Sequence, residues 1–433
     1  MLIYQPGISN RSRFIFKLIL HDRLGIDFQL TSSPEEFQAY PGPRIWYDLQ
    51  WSGSGLFIPS TGLLSQTDIR PQVVSFFDFN GIPAFFESSD QRAAIPFDIF
   101  SAAFYLVTRY EEYLPFTPDR YGRFPADQSV ASRAGFLNLP VVDLWIERLR
   151  LILEQNFPGI NTTTHQYQFI PTIDIDHAWA FRGRSLLRCL GGAFYSALRR
   201  EKGKLKMRLS VMSGTRDDPF DVYSYIGELH ESVQLPLRWF VLFADRGGDD
   251  NNVSVKGKAF RKLLKDLDKT GETGSHPSLS SNRDFRKLRK EVSSLSEVLD
   301  RPIEASRQHF LWISFPETYR NLVRLGIKDD FSMGYPSTPG FRAGISAGFP
   351  FFDLLRNEET TLVIHPVQLM DVTLRDYMHL NPEEAIEIIH RIIDQVRLVN
   401  GEFVSAWHNE SLSEYDGWEG WRKVYEELVR YAV

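Results

Sequence analysis

Residues 168–177 read QFIPTIDIDH, an apolar run that closes on two carboxylates, Asp174 and Asp176. Side chains alternate along a strand, so the two aspartates point to the same side of it. Like charges held together are costly unless a cation sits between them or one group keeps its proton. A metal ion or a catalytic acid/base pair would relieve the conflict. So would a solvent-facing aspartate ladder or a helix cap. Other short apolar runs further along also end in groups that can do chemistry: His276, then Arg307 with His309, then Asp330, His365, and His408-Asn409. Any one of these histidines could be a satisfied structural residue. Four of the ten histidines at four separate strand ends, together with two aspartates, describe one rim.

The elements that must position that rim follow a regular grammar. After about residue 166, short apolar strands alternate with amphipathic helices. YQFIPTI, LRWFVLFA, ETGSH, EASRQHFL, KDDFSMG, TLVIH and EFVSAW are the strands. The helix over 382–398 has the clearest start, with Asn381 as N-cap, Pro382 in the first helical position and Glu384 in the third. Seven strands alternating with helices predict a parallel sheet, closed or nearly closed into a (β/α) barrel, where chemistry collects at the C-terminal strand ends. Residues 178–237 are too long for a simple crossover and predict a helical insertion. Residues 1–165 mix strand candidates (RIWYDLQW, VVSFFDF, IPAFFE) with three helices and predict a smaller α/β domain. The breaker-rich NFPGINTTTHQ marks the boundary before a second domain over 166–433.

Composition bounds the function. With 433 residues, 43% hydrophobic and 24% charged, the chain reads as an ordinary globular protein of two domains. Net charge of −6 argues against nucleic acid as the main partner. A single cysteine, Cys189, excludes an intramolecular disulfide and a cysteine-based zinc site. No stretch has the apolar length of a membrane span, and the first residues lack a signal-peptide pattern, so the expected compartment is the cytoplasm. Protein partners are not legible. Gly344-Ile345-Ser346-Ala347-Gly348 matches a nucleophile elbow, but the residues before it form a loop rather than a strand. Arg342 in that loop could clamp a substrate. Trp179, Trp312 and Trp407, with the high aromatic share of 14%, could stack on sugar rings or pack in cores.

At the rim the sequence resembles the NodB-type polysaccharide deacetylases, the fourth carbohydrate esterase family. Thr172-Ile173-Asp174-Ile175-Asp176 resembles its T-F-D-D strand end, and Gly274-Ser275-His276-Pro277-Ser278 part of its H-S/T-x-x-H motif. Arg307-Gln308-His309-Phe310 stands at its R-x-P segment, and Leu362-Val363-Ile364-His365-Pro366 is similar to its apolar strand ending in histidine. The resemblance covers roughly 167–433. TRYEEYLPFTPDRYGRF and LPVVDLWIE look like a domain of unknown role found ahead of bacterial deacetylases. It implies a distorted seven-stranded (β/α) barrel that binds Zn2+ or another divalent metal and removes an N-acyl group, most simply acetyl, from an amino sugar or polysaccharide. It further implies Asp174 as base partnered by Arg307, Asp176 and His276 as metal ligands, and His365 as general acid. Trp407, His408 and Asn409, with Arg342, would contact the carbohydrate. One position departs from the pattern: the family's second motif histidine is Ser280 here. A serine hydroxyl is a poor zinc ligand. Either His309, or failing that His408, completes the site, or the barrel is a non-catalytic carbohydrate-binding or regulatory pseudo-deacetylase. Hydrolysis of another C–N bond would use the same residues.

Overall fold

The computed structural model describes residues 1–183, 199, 202–245, 247, 250 and 252–433. In the first part, β1 (Leu2–Tyr4), β2 (Gln29–Thr31), β3 (Arg44–Asp48) and β4 (Leu56–Pro59) form a parallel sheet in the order β2-β1-β3-β4. A hairpin, β5 (Phe76–Phe79) and β6 (Ile82–Phe85), follows. The three predicted helices are present at Asn10–Phe16, Ile99–Val107 and Val141–Asn156.

The predicted alternation then builds the larger sheet. Its strands are β7 (Gln168–Ile175), β8 (Leu237–Val241), β9 (Gly271–Ser275), β10 (Ala305–Ser306), β11 (Asp329–Asp330), β12 (Phe349–Asp353), β13 (Glu358–Ile364), β14 (Leu369–Met370) and β15 (Glu402–His408). They run in the order β12-β13-β11-β10-β9-β8-β7-β15-β14. Only β12 is antiparallel to its neighbour. The strands of parallel sheets carry continuous apolar runs because helices cover both faces, and from Pro171 to Ile175 every residue of β7 is buried.

Among the described residues the expected closed barrel is not formed, because the edges β12 and β14 share no ladder. The sheet curls nonetheless. β13 and β15 stand six places apart in the strand order, which in a flat sheet would separate them by roughly 29 Å. Yet His365 Nδ1, just past β13, lies 3.0 Å from Glu402 Oε2 at the start of β15. A small apolar cluster that includes Phe240, Phe331, Val367, Met370 and Val404 fills the inside of the curl.

The Pro382–Leu398 helix begins as predicted, with Asn381 and Glu384 forming a reciprocal capping box worth about 1 kcal/mol. Within the expected insertion, helices span Lys202–Met212 and Tyr223–Ser232. The remainder of that segment, Cys189 included, falls outside the described residues.

The two parts share one continuous core. Phe352 of β12 packs on Phe14 and Phe104, and the amide of Ser346 donates to Asp143 Oδ2 at 2.7 Å. This fusion brings a loop of the first part to the rim of the second.

Candidate metal centre

Asp174 and Asp176 do share a side of the chain, and both open into a cleft of about 540 Å³. Their environments differ. Asp174 accepts a hydrogen bond from Arg307 Nη1 at 3.0 Å, and Arg307 is itself fixed by donating from Nε to the Phe331 carbonyl at 2.9 Å. That guanidinium is completely buried. Asp176 instead faces three imidazoles. His276 Nε2 lies 3.2 Å from Oδ1, His309 Nε2 3.2 Å from Oδ2, and His408 Nε2 3.6 Å from Oδ2.

Each ring is oriented through its other nitrogen. His276 Nδ1 lies 2.7 Å from the Arg307 carbonyl oxygen, His309 Nδ1 3.0 Å from Asp250 Oδ1, and His408 Nδ1 2.9 Å from Asp371 Oδ1. A carbonyl oxygen only accepts, so His276 Nδ1 carries the proton and its Nε2 is left to bind. The three acceptors thus aim three Nε2 atoms at one carboxylate.

The donor atoms of Asp176, His276 and His309 all lie within 4.8 Å of one another. Asp176 Oδ1 is buried without a hydrogen-bond partner. Metal–ligand bonds of ~2.0–2.2 Å place neighbouring donors roughly 3–3.5 Å apart, which is the spacing found between Asp176 and each ring. Two imidazoles and a carboxylate are a donor set that zinc and similar divalent ions accept. The residues therefore fit a divalent metal.

The electrostatics point the same way. Burial would raise the Asp176 carboxyl, but His309 and His276 hold it well below the usual carboxylate range. Burial would lower His309, and Asp176 with Asp250 outweighs this and lifts it to about 9. His408 behaves alike: burial opposes protonation, Asp371 and Asp176 favour it more, and the ring rises well above its ordinary value. Asp176, Asp250 and Asp371 together demand positive charge among them, which protonated rings or a metal ion can supply.

The remaining candidates are distributed differently. His365 does not reach the cleft. Its Nε2 lies 2.9 Å from Asp329 Oδ1, its Nδ1 is taken by Glu402, and its ring stacks on Phe331 at 4.5 Å. The reason is stagger. The ladder row Ile175–Val241–Ser275–Ser306–Asp330–Ile364 is continuous. It starts level with the end of β15, where His408 pairs with Asp174, and arrives beside Glu402 at that strand's beginning. Strands of a curled sheet tilt, so a hydrogen-bonded row climbs around the axis. A strand-end position alone does not state height.

Arg342 is no clamp on the cleft: it is buried and bidentate to Glu112, at 2.9 and 2.6 Å. Trp407 is fully buried against Trp421 and Tyr425. Asn409 spends its amide on the His177 and Phe220 carbonyls. Asp330 is buried with its carboxylate on Ser332. Ser280 accepts from Lys287 Nζ at 2.7 Å. Ser346 is buried on Asp143, as a loop serine rather than an exposed nucleophile.

Sequence reasoning missed Asp250, Asp371 and the cleft wall contributed by Arg120, Tyr121 and Arg123. Asp371 had a signal, since it follows the apolar pair Leu369-Met370. Asp250 lies in a polar loop that gave none.

Residues 1–158 match a family of unknown function, DUF7033. No curated protein sequence matches the chain significantly. Among solved structures, one described as a candidate polysaccharide deacetylase from Mycobacterium smegmatis aligns at TM-score 0.41 and 16% identity, over 62% of this chain and 84% of that one. The allantoinase Puue aligns at TM-score 0.38 and 10% identity, over 74% and 92%. A mutant CE4 family pseudoenzyme with restored enzymatic activity aligns at TM-score 0.28 and 11% identity, over 61% and 65%. At these scores the likenesses carry no argument about function, which the geometry of the site must supply.

Proposed function

We propose that the chain is a metal-dependent hydrolase that removes an N-acyl group, most simply acetyl, from an amino sugar, with residues 1–165 and 166–433 as its two domains. The observation that carries this reading is the convergence of Asp176, His276 and His309 on one point, 3.2 Å from carboxylate to each ring, beside a second carboxylate in an open cleft. A divalent metal, zinc by the donor set, would supply an activated water and a polarised carbonyl when bound. His309 takes the ligand position that Ser280 leaves unfilled.

The chain's own residues then divide the proton work. Asp174 is the base: the buried Arg307 donates to it and fixes its carboxylate toward the cleft. The acid role passes from His365 to His408, which lines the cleft and is held by Asp371. A ring kept protonated there can deliver its Nε2 proton to a departing amine. Asp371 keeps that ring oriented and its charge favourable. Met370, Leu311 and Phe310 line the same cleft and limit water around the reacting atoms.

Metal analysis combined with an acetate-release assay on N-acetylated chito-oligosaccharides tests the reading. One bound divalent ion per chain and acetate release that stops in His276→Ala are the expected results. Full metal occupancy without acetate from any N-acetylated sugar would contradict it and favour a binding or regulatory barrel.

A further inference from the structure

The loop from Asp119 to Phe124 belongs to the first part of the chain but forms a wall of the cleft in the second. It is tied down at several points. Asp119 N and Gly122 N close backbone hydrogen bonds with the Arg123 and Asp119 carbonyls. The Asp119 carboxylate accepts from the amides of Tyr121 and Arg123 and from Arg123 Nε at 2.7 Å. Arg123 also donates from Nη1 to the Phe310 carbonyl at 2.7 Å. Tyr121 rests against Phe310, ring centroids 5.1 Å apart, next in sequence to His309. The loop is thus fixed to the metal centre through Phe310.

Its tip carries a cation with no counter-charge. Arg120 is exposed, stacks on Tyr121 at 4.7 Å, and has no carboxylate within ion-pair distance among the described residues. The rim carboxylates that could have paired with it are occupied: Asp376 by Arg375 at 2.6 Å and Glu410 by His177 at 2.9 Å. Arg120 also stands where the cleft meets a second cavity of about 640 Å³, since Arg120, Arg123, Pro336 and Tyr377 line both. A guanidinium on a pre-organised stem recognises a carboxylate or phosphate by charge and paired donors.

Resting on the hydrolase reading, we infer that Arg120 is a specificity-determining residue that selects an anionic amino sugar, one bearing a carboxylate or a phosphate, as the substrate class of this cleft. The anion would lie at the junction of the two cavities, away from the metal centre. The first part of the chain thereby acquires a role, supplying the substrate-reading wall.

Equilibrium binding by calorimetry tests this without turnover, using N-acetylglucosamine, its 6-phosphate and N-acetylmuramic acid as probes. The intact protein should bind at least one anionic sugar about tenfold more tightly than the neutral one, and which one distinguishes phosphate from carboxylate. Arg120→Ala should abolish that preference while leaving the neutral sugar unchanged, and Arg120→Lys should restore part of it. Equal affinity for all three sugars, no binding of either anion, or an equal loss for all three in Arg120→Ala would overturn the inference. Failure of the hydrolase reading looks different: the anion preference persists, but no acetate appears from any of the three with metal present.

Discussion

Two clusters of histidine and carboxylate lie in the same curled sheet, and they have opposite designs. Around Asp176, three rings each spend Nδ1 on an anchor and turn Nε2 toward a shared carboxylate that opens into a cleft. Around His365, one ring spends both nitrogens on separate carboxylates, Asp329 and Glu402, and stacks flat on Phe331. The first arrangement leaves Nε2 atoms converging on a point that another ligand can occupy. The second leaves nothing to offer. Burial and raised basicity are common to both, so neither property identifies a site; unspent, convergent donors do.

The largest expected effects break the first cluster. Asp176→Asn or His276→Ala should remove the metal and lower acetate release by ~10³-fold or more, read by elemental analysis beside the activity assay. Asp174→Asn should retain the metal yet lose roughly 10²–10⁴ in kcat, because only the base is removed. His408→Gln should cost a comparable factor. Asp371→Asn, which removes only the anchor of that ring, should cost roughly 10–100-fold. If His408→Gln left kcat unchanged while His365→Gln abolished it, the assignment of the two clusters would be reversed.

A smaller effect sharpens the contrast from the other side. Burial opposes protonation of His365, but Asp329 and Glu402 outweigh it and raise the ring to about 9. A raised folded-state pKa contributes stability that is complete below the unfolded value of about 6.5 and is lost as pH rises through the folded one. Chemical denaturation of the intact protein should therefore show declining stability from about pH 6.5 to 9, by up to roughly 3 kcal/mol. His365→Gln should reduce that slope by this ring's share, His309 and His408 supplying the rest, and leave kcat within a few-fold. A slope unchanged by the substitution would show that His365 contributes none of it.

The interface should respond last, and in stability alone. Arg342→Met removes one of the two guanidiniums that hold the buried Glu112, leaving Arg109, and should destabilise by about 1.5–3 kcal/mol, with KM for sugar substrates unchanged. A rise in KM at full stability would return Arg342 to the cleft.

Much of this arrangement is legible in the sequence. Apolar runs gave β7, β8, β13 and β15, as expected of strands buried on both faces, whereas β9, β10 and β11 carry mainly small or polar residues and were placed by the regular alternation with helices. The capping residues around Asn381 gave a helix start directly. β12 and β14 were missed. β14 is two residues long, and β12 pairs antiparallel at an edge, outside the alternating pattern. Asp174, Asp176, His276, Arg307 and His309 were recognisable as strand-end chemistry, since two or three residues there share a direction.

What the sequence could not convey was height around the curl and the identity of neighbours across it. His365 and His276 occupy equivalent ladder positions, yet stagger carries one of them to the start of β15. Arg342 and Trp407 read as cleft residues by position and chemistry. Their buried partners, Glu112 in one case and Trp421 and Tyr425 in the other, lie far away in sequence. The Asp119–Phe124 loop was hidden for the same reason, since nothing local indicates that a loop of the first part will wall the cleft of the second.

The most direct test is a crystal soaked in a zinc salt and measured at the zinc absorption edge. One anomalous peak within about 2.0–2.2 Å of an Asp176 oxygen and of Nε2 of His276 and His309 is the result this account predicts. A map with no peak at that point, or with its strongest peak between Asp329, His365 and Glu402, would contradict it.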